Sequence, residues 1–364
     1  MSLRRKHKLE EQKSQRLDYL DALRGLAAIS VFFYHFFGWK WEKTSYFHAS
    51  AFVFNGSDAV SFFFVLSGFV LSFAFIQRNE PIPLKKFIVK RLLRLYPAYL
   101  CVVFLNYLYW NRHALDLKLL NDIFYLNGQQ LWQELILVRG NHKFYIPGWT
   151  LEVEMALSLL VPFLVILGRN NVKYLWFLLP ISIFMGGSIS IFIFHFILGV
   201  LLAYYYPKIT EYNIKTHKWY KNRWLIYIAI FLLFSIRQID KISPIGPSFM
   251  NLLKFLGIDF FHFTGFAAAC IILIAIQNKS LQKIMQIKPF LFLGKISYSI
   301  YLMHWLIVVY VMEHWEKWLQ LFPTPQITFF AMLLISFLAT IISATMLYYT
   351  VERPFINLGK KINL

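Results

Sequence analysis

The feature that most limits this chain is a succession of long apolar runs. A bilayer core of about 30 Å is crossed by roughly 17 to 25 mostly apolar helical residues. Runs of that kind fall at 21–38, 58–77, 95–112, 148–168, 172–186, 188–206, 223–239, 257–277, 290–312 and 327–350 of the 364 residues. Inside hydrocarbon the backbone must satisfy its own hydrogen bonds, which leaves helices as the structure for such runs. The expected fold is therefore all-α, a polytopic integral membrane helical bundle of about ten transmembrane helices. Residues 116–139 are amphipathic rather than apolar and read as an interfacial helix or loop. Only 15% of residues are charged, against about 25% in soluble domains, so a water-soluble globular protein is excluded. Cys101 and Cys270 lie inside apolar runs and read as small buried hydrophobes, not as a bridge or a metal site.

The charge is one-sided, with 37 Lys and Arg against 18 Asp and Glu. In a soluble protein an excess of +19 would suggest nucleic acid. With both termini cytoplasmic, 26 of the 37 basic residues fall in inner segments and 10 in outer ones, while Arg24 lies within a span. Basic residues collect on the cytoplasmic side of membrane proteins, so the excess is topology and no nucleic-acid partner is expected. The expected organisation is a basic cytoplasmic tail over 1–20, a transmembrane domain over 21–350 and a second cytoplasmic tail over 351–364. The first run is not a cleavable signal peptide, because twenty polar and basic residues precede it and no small-residue cleavage pattern follows. The cluster Arg4-Arg5-Lys6-His7-Lys8 reads as an anchor on anionic membrane lipids. No loop offers room for a folded soluble domain, so chemistry belongs to the bundle and its two mouths.

Ionisable groups inside spans cost roughly 2.5 to 3.5 kcal/mol near the bilayer centre, so each asks for a reason. Arg24 and His35 are eleven positions apart on the first span, about 16 Å of axis, and share one helix face. Ser67-Gly68 in an aromatic helix permits close helix approach, a packing role. Arg91 and Arg94 stand at i, i+3 at the cytoplasmic face, a fork suited to lipid headgroups or to the phosphates of a soluble ligand. The fourth span opens at the outer mouth with Trp149-Thr150-Leu151-Glu152 and then Glu154. Two carboxylates two positions apart cannot share a face, so at most one points inward. On the ninth span Ser297, Tyr301 and His304 form one polar stripe, which should face a cavity rather than lipid. Two histidines, a carboxylate and arginines around one interior suggest acid–base work or ligand coordination. No His-x-x-x-His pair or Cys cluster occurs, so no metal is expected.

Six motifs in order resemble the membrane acyltransferase 3 family. They are Leu20-Asp21-Ala22-Leu23-Arg24-Gly25-Leu26-Ala27 with His35, similar to an Arg-x10-His signature; Phe63-Phe64-Val65-Leu66-Ser67-Gly68-Phe69; and Arg91-Leu92-Leu93-Arg94-Leu95-Tyr96-Pro97. The others are Trp149-Thr150-Leu151 with Glu154 and Pro162; Gly294-Lys295-Ile296-Ser297-Tyr298-Ser299-Ile300-Tyr301-Leu302-Met303-His304; and Val351-Glu352-Arg353-Pro354. The resemblance runs from residue 20 to residue 354. It implies an integral membrane O-acyltransferase of the cell membrane that uses cytosolic acyl-CoA, commonly acetyl-CoA, to acylate a hydroxyl of an envelope or exported carbohydrate. In that reading Arg24, Arg91 and Arg94 hold the phosphates of the donor. His35 is the general base or the acyl carrier, and Glu154 orients it or binds acceptor hydroxyls. Trp149, Tyr298, Tyr301 and His304 would line the acceptor path.

The chain departs from the family where Glu154 is followed by Met155-Ala156-Leu157 instead of aromatics, which bears on the acceptor. Some members carry a fused extracytoplasmic esterase-like domain. Here the expectation is none in cis, so that the chain completes transfer alone or hands the acyl group to a separate extracytoplasmic transferase. The competing reading is a secondary transporter or flippase using Arg24, His35, Glu154 and His304 as a relay. It is opposed by the lack of an inverted repeat in the motif order.

Overall fold

The computed structural model describes residues 3–41, 52–77, 81–112, 128–137, 142–185, 189–242 and 246–362. The described residues form helices and turns. In chain order the helices are α1 (Leu3–Trp41), α2 (Gly56–Ile76), α3 (Leu84–Trp110), α4 (Gly128–Leu135), α5 (Gly148–Ser158) and α6 (Val161–Asn170). They continue with α7 (Lys173–Phe184), α8 (Ser190–Glu211), α9 (Arg223–Phe234), α10 (Ile236–Ile242), α11 (Pro247–Phe255) and α12 (Phe260–Gln277). The last are α13 (Lys279–Met285), α14 (Lys288–Lys295), α15 (Ser297–Glu313), α16 (Trp315–Leu321), α17 (Pro325–Leu347) and α18 (Arg353–Lys361).

Six of the described helical stretches are long and apolar enough to cross a membrane, and seven if α14 and α15 count as one broken span. The chain is a multi-pass membrane protein. The difference from ten has local causes. The run at 172–186 forms the 12-residue α7, and 223–239 breaks at Ser235 into α9 and α10. The run at 290–312 breaks at Ile296, and α3 is long but starts with Lys85, Lys86, Lys90, Arg91 and Arg94. Of the amphipathic stretch 116–139, residues 116–127 and 138–139 lie outside the described residues. Its helix α4 packs on the middle of α3, where Tyr99 Oη donates to the Glu134 carbonyl at 2.6 Å.

Contacts divide the chain into two compact units, Met1–Pro81 with Leu157–Ser297, and Ile82–Ala156 with Tyr298–Leu364. The first unit is built on glycines at helix crossings. A Cβ on Gly199 of α8 would lie 2.2 Å from the Val65 carbonyl oxygen and 2.6 Å from Phe69 N, and one on Gly68 would lie 2.6 Å from the Phe196 oxygen. Backbones touch there, as they can only where side chains are absent. The same holds for α1 and α14. A Cβ on Gly25 would sit 2.6 Å from Gly294 N, and one on Gly294 2.5 Å from the Asp21 carbonyl oxygen. Two motifs 269 positions apart are thus one backbone contact. The start of α2 is similarly seated on α1, because a Cβ on Gly56 would meet Tyr34 Cβ at 2.5 Å and Val31 Cα at 2.8 Å. A polar column rises from the other face of α2. Ser61 pairs with Thr264 at 2.8 Å, Arg237 donates to the wholly buried Asp58 at 3.1 Å, and Gln238 reaches Ser57 at 3.0 Å.

Gly199→Leu is expected to cost about 3 kcal/mol or more, the upper end of overpacking penalties, because backbone rather than a rotamer has to move. Gly246→Ala, with nothing within 4 Å of the new methyl, should stay within about 0.5 kcal/mol. Thermal unfolding in detergent compares them, and equal midpoints would mean that α2 and α8 do not cross at Gly199.

The second unit pairs α3 with α15. Tyr298 Oη donates to the Leu95 carbonyl at 2.8 Å and, at the other end, Tyr109 Oη donates to Glu313 at 2.5 Å, so the two helices run in the same direction. Helix α17 passes through a π-helical turn, Tyr348–Glu352, into α18, which lies along α3 with Gly359 against Leu93 and Lys90. A π turn shifts the helix face by part of a turn, and this one carries Glu352 inward to 4% exposure while Arg353 and Pro354 are exposed.

Candidate active site

In the first unit Arg24 and His35 lie on α1, both half-buried. Arg24 Nη1 is bound to Asp21 Oδ1 at 2.7 Å one turn back, so its guanidinium is held toward that end of the helix. His35 is flanked by Tyr34, edge-on at 5.5 Å, and its turn is backed by the start of α2 at Gly56. Ala28, Val31, Phe32 and Phe36, each 2% exposed or less, form the buried face of that stretch of helix.

In the second unit Arg91 and Glu154 meet. Arg91 Nη2 lies 2.5 Å from Glu154 Oε1, and Arg91 is 7% exposed. The sequence reading put these two residues at opposite mouths. Arg91 is seven residues, about 10 Å of axis, into α3. Glu154 reaches that level because the chain before α5 descends along α3. The Trp110 indole donates to the Phe144 carbonyl at 3.2 Å, and Tyr145 then packs its ring 6.2 Å from that of Tyr99. Glu134 holds the turn by accepting from Phe144 N at 2.8 Å. Its burial raises the carboxyl above the usual range, and the backbone N–H groups of residues 143 to 145 work against that rise. Helix α5 therefore begins inside the unit and not at its rim.

Arg91 and Arg94 do not form a joint fork. Arg94 is exposed while Arg91 is turned to Glu154, the ordinary result of i, i+3 residues straddling the edge of a buried face. Tyr301 Oη pairs with Thr150 Oγ1 at 2.7 Å, and Tyr145 Oη donates to the Tyr301 carbonyl at 2.9 Å. His304 is wholly buried, with Nδ1 2.6 Å from the Tyr301 carbonyl. The hydroxyls of Tyr298 and Tyr301 are thus committed to backbone and to Thr150, and they lock α5 and α3 onto α15. Trp149, half-buried in the first turn of α5, stands one residue before that lock.

Glu352 was singled out in the sequence only as part of a motif and given no role. Its Oε2 accepts from Ser299 Oγ at 2.6 Å, and Tyr298 feels the charges of Glu352, Glu154 and Arg91 together. Glu352 thus ties the π turn to α15 one residue from Tyr298. Its place in the Val351-Glu352-Arg353-Pro354 motif, directly after the last apolar run, was the available signal. Among the described residues no group of three or more His, Cys, Asp and Glu is disposed to hold a metal ion.

The first five motifs, the Arg24 to His35 helix and the Arg91–Glu154 pair fall within residues 17–349, over which the chain matches the family model described as an acyltransferase domain. This protein belongs to the membrane acyltransferase 3 family. It is similar to the protein named O-acetyltransferase OatA in Staphylococcus aureus strains NCTC 8325 / PS 47, COL and MRSA252, each at 28% identity over 395 aligned positions. The alignment takes in 97% of this chain and 60% of each relative, so the acyltransferase 3 chain described here spans about three-fifths of their length. No solved structure matches it significantly.

Proposed function

We propose that this acyltransferase is an O-acetyltransferase that takes an acetyl group from acetyl-CoA at the cytoplasmic face and delivers it to a hydroxyl of an envelope or exported carbohydrate. The observation that carries the reading is coverage. The family match takes in His35 on α1 and the Arg91–Glu154 pair on α3 and α5 in a single chain. The name of the aligned relatives, O-acetyltransferase, supports the acetyl group.

The chemistry needs three things. Anionic phosphates of the donor need guanidinium groups, which Arg94 offers at the surface and Arg24 on α1, while Arg91 reaches a donor oxygen by exchanging it for Glu154. The thioester carbonyl carbon needs a nucleophile. His35 either removes the proton of the acceptor hydroxyl as its oxygen attacks, or attacks through its own ring nitrogen and then yields the acetyl group to the hydroxyl. In both routes the C–S bond breaks and CoA leaves as thiolate on the cytoplasmic side. The acceptor needs a surface to bind, for which Trp149 is the aromatic residue at the start of α5. Tyr298, Tyr301 and His304 position that surface.

Purified protein is given acetyl-labelled acetyl-CoA with and without an envelope glycan fraction. The expected result is label in the glycan and release of free CoA. Label that also appears on the protein, and is lost with His35→Ala, selects the acyl-histidine route. Glycan or solute flux into proteoliposomes without any donor, together with no CoA release, would replace the enzyme reading by the transporter.

A further inference from the structure

On the outside of the first unit, α7, α8 and α12 enclose a groove of about 620 Å³ that the chemistry above does not use. Its floor is Leu198, Leu201 and Ala269, all buried, and its rim is Trp176 and Phe266, each about half exposed. From Leu198 to Lys208 it follows α8 for ten residues, about 15 Å of axis, which is half of the roughly 30 Å hydrocarbon core. The groove is therefore as long as one leaflet is thick. It is polar at one end only. There the Lys208 ammonium lies 5.8 Å from the centre of the Tyr205 ring, and the Trp176 indole donates to Tyr205 Oη at 3.0 Å. The Gln277 amide donates to the Ile209 carbonyl, and Lys208 is the charged residue among those that line the groove. Residues 208–223, which continue from it, carry five basic side chains.

An apolar groove whose one charged lining residue is a lysine about one leaflet's depth along it matches an amphiphile with a single chain in the groove and an anionic head at the lysine. We propose that this groove binds one acyl chain of an anionic phospholipid of the cytoplasmic leaflet, with the phosphate at Lys208. The site differs from the ordinary lipid coat of a membrane helix in having a buried floor and a fixed charge. It binds lipid whether or not the protein transfers acetyl groups, so its failure would leave the enzymatic reading untouched.

Cys270 lines the groove and is a free thiol, which gives a direct probe. In a Cys101→Ser background, bimane on Cys270 is read in nanodiscs containing rising fractions of brominated phosphatidylglycerol or brominated phosphatidylcholine. Quenching should saturate at a lower fraction of the anionic lipid. Lys208→Gln should move that half-saturation point about fivefold, the factor corresponding to about 1 kcal/mol per basic residue. Ala269→Trp, which fills the floor, should abolish the preference. Should the label disturb folding, retention of phosphatidylglycerol by the unlabelled protein in native mass spectrometry, lost in Ala269→Trp, is the equivalent reading. Equal quenching by both lipids, indifferent to Lys208→Gln and Ala269→Trp, would reduce the groove to ordinary lipid contact and overturn the proposal. Displacement by a long-chain acyl-CoA at micromolar concentration, with no effect of the phospholipid head, would overturn it too and assign the groove to a donor chain.

Discussion

His35→Ala is expected to abolish acetyl transfer and to leave the protein folded. That is the larger of two expected effects, and the separation rests on how α1 is held. Its contacts to α2 and α14 run through Gly56 and Gly294, and its buried face is Ala28, Val31, Phe32 and Phe36. His35 shares that face, one turn beyond Val31 and Phe32, but is itself only half-buried. Removing it leaves the backbone contacts intact, so the elution profile and thermal midpoint should stay near those of the parent. A positioned base contributes about 10²- to 10⁴-fold, which sets the smallest expected loss of rate. If the imidazole carries the acetyl group the loss is complete, because no other group takes its place. His35→Gln, which keeps volume and a hydrogen-bonding atom, should be as inactive as the alanine variant. Full transfer by either variant would remove His35 from the mechanism.

Arg91→Gln is expected to cost about 3 to 5 kcal/mol, the usual penalty for leaving one charge of a buried pair uncompensated. The reasoning is specific to this site. Arg91 is 7% exposed and its partner oxygen on Glu154 is 2.5 Å away. With the guanidinium gone, the Glu154 carboxylate loses that counter-charge in a low-dielectric interior. Replacing both members of the pair, in Arg91→Gln with Glu154→Gln, should recover most of the stability, because the lone charge goes with its partner. Activity should not return. The double variant is expected to be at least about 10²-fold slower than the parent in transferring label from acetyl-CoA, since the donor then lacks its inner guanidinium. Unfolding midpoints and label transfer on the same four proteins decide the matter. Stability and transfer restored together would make the pair a structural clamp and move donor binding to Arg94 and its neighbours.

Several of the motifs turned out to serve two purposes at once. Gly25 and Gly294 belong to stretches that the family resemblance ties to the site, yet each is where one backbone lies against another. Arg24 and Ser297, next to them in sequence, inherit fixed positions from that contact. A glycine motif near a site can thus act by letting helices approach, with the chemistry left to its neighbours. The same division applies on α15, where Tyr298 and Tyr301 spend their hydroxyls on Leu95, Thr150 and the seam between helices.

Sequence alone determined that this chain is helical and lies in a membrane, because apolar run length and the distribution of basic residues are local properties that need no partner to be read. It also named His35 and Glu154, since ionisable groups in apolar runs are conspicuous wherever they end up, and Arg91, as one of two arginines at i, i+3 beside such a run. Which of them meet was decided by tertiary structure alone. Arg91 and Glu154 are 63 positions apart, and they pair only because the chain before α5 drops along α3 past Tyr107 to Tyr99. Asp58 and Arg237 are 179 apart and meet because α2 and α10 pack together, an ion pair with no trace in either local pattern. Glu352 faces inward through a π turn, which no hydrophobic period announces. Periodicity specifies what a helix presents on each face; only the packing of helices says what that face will find.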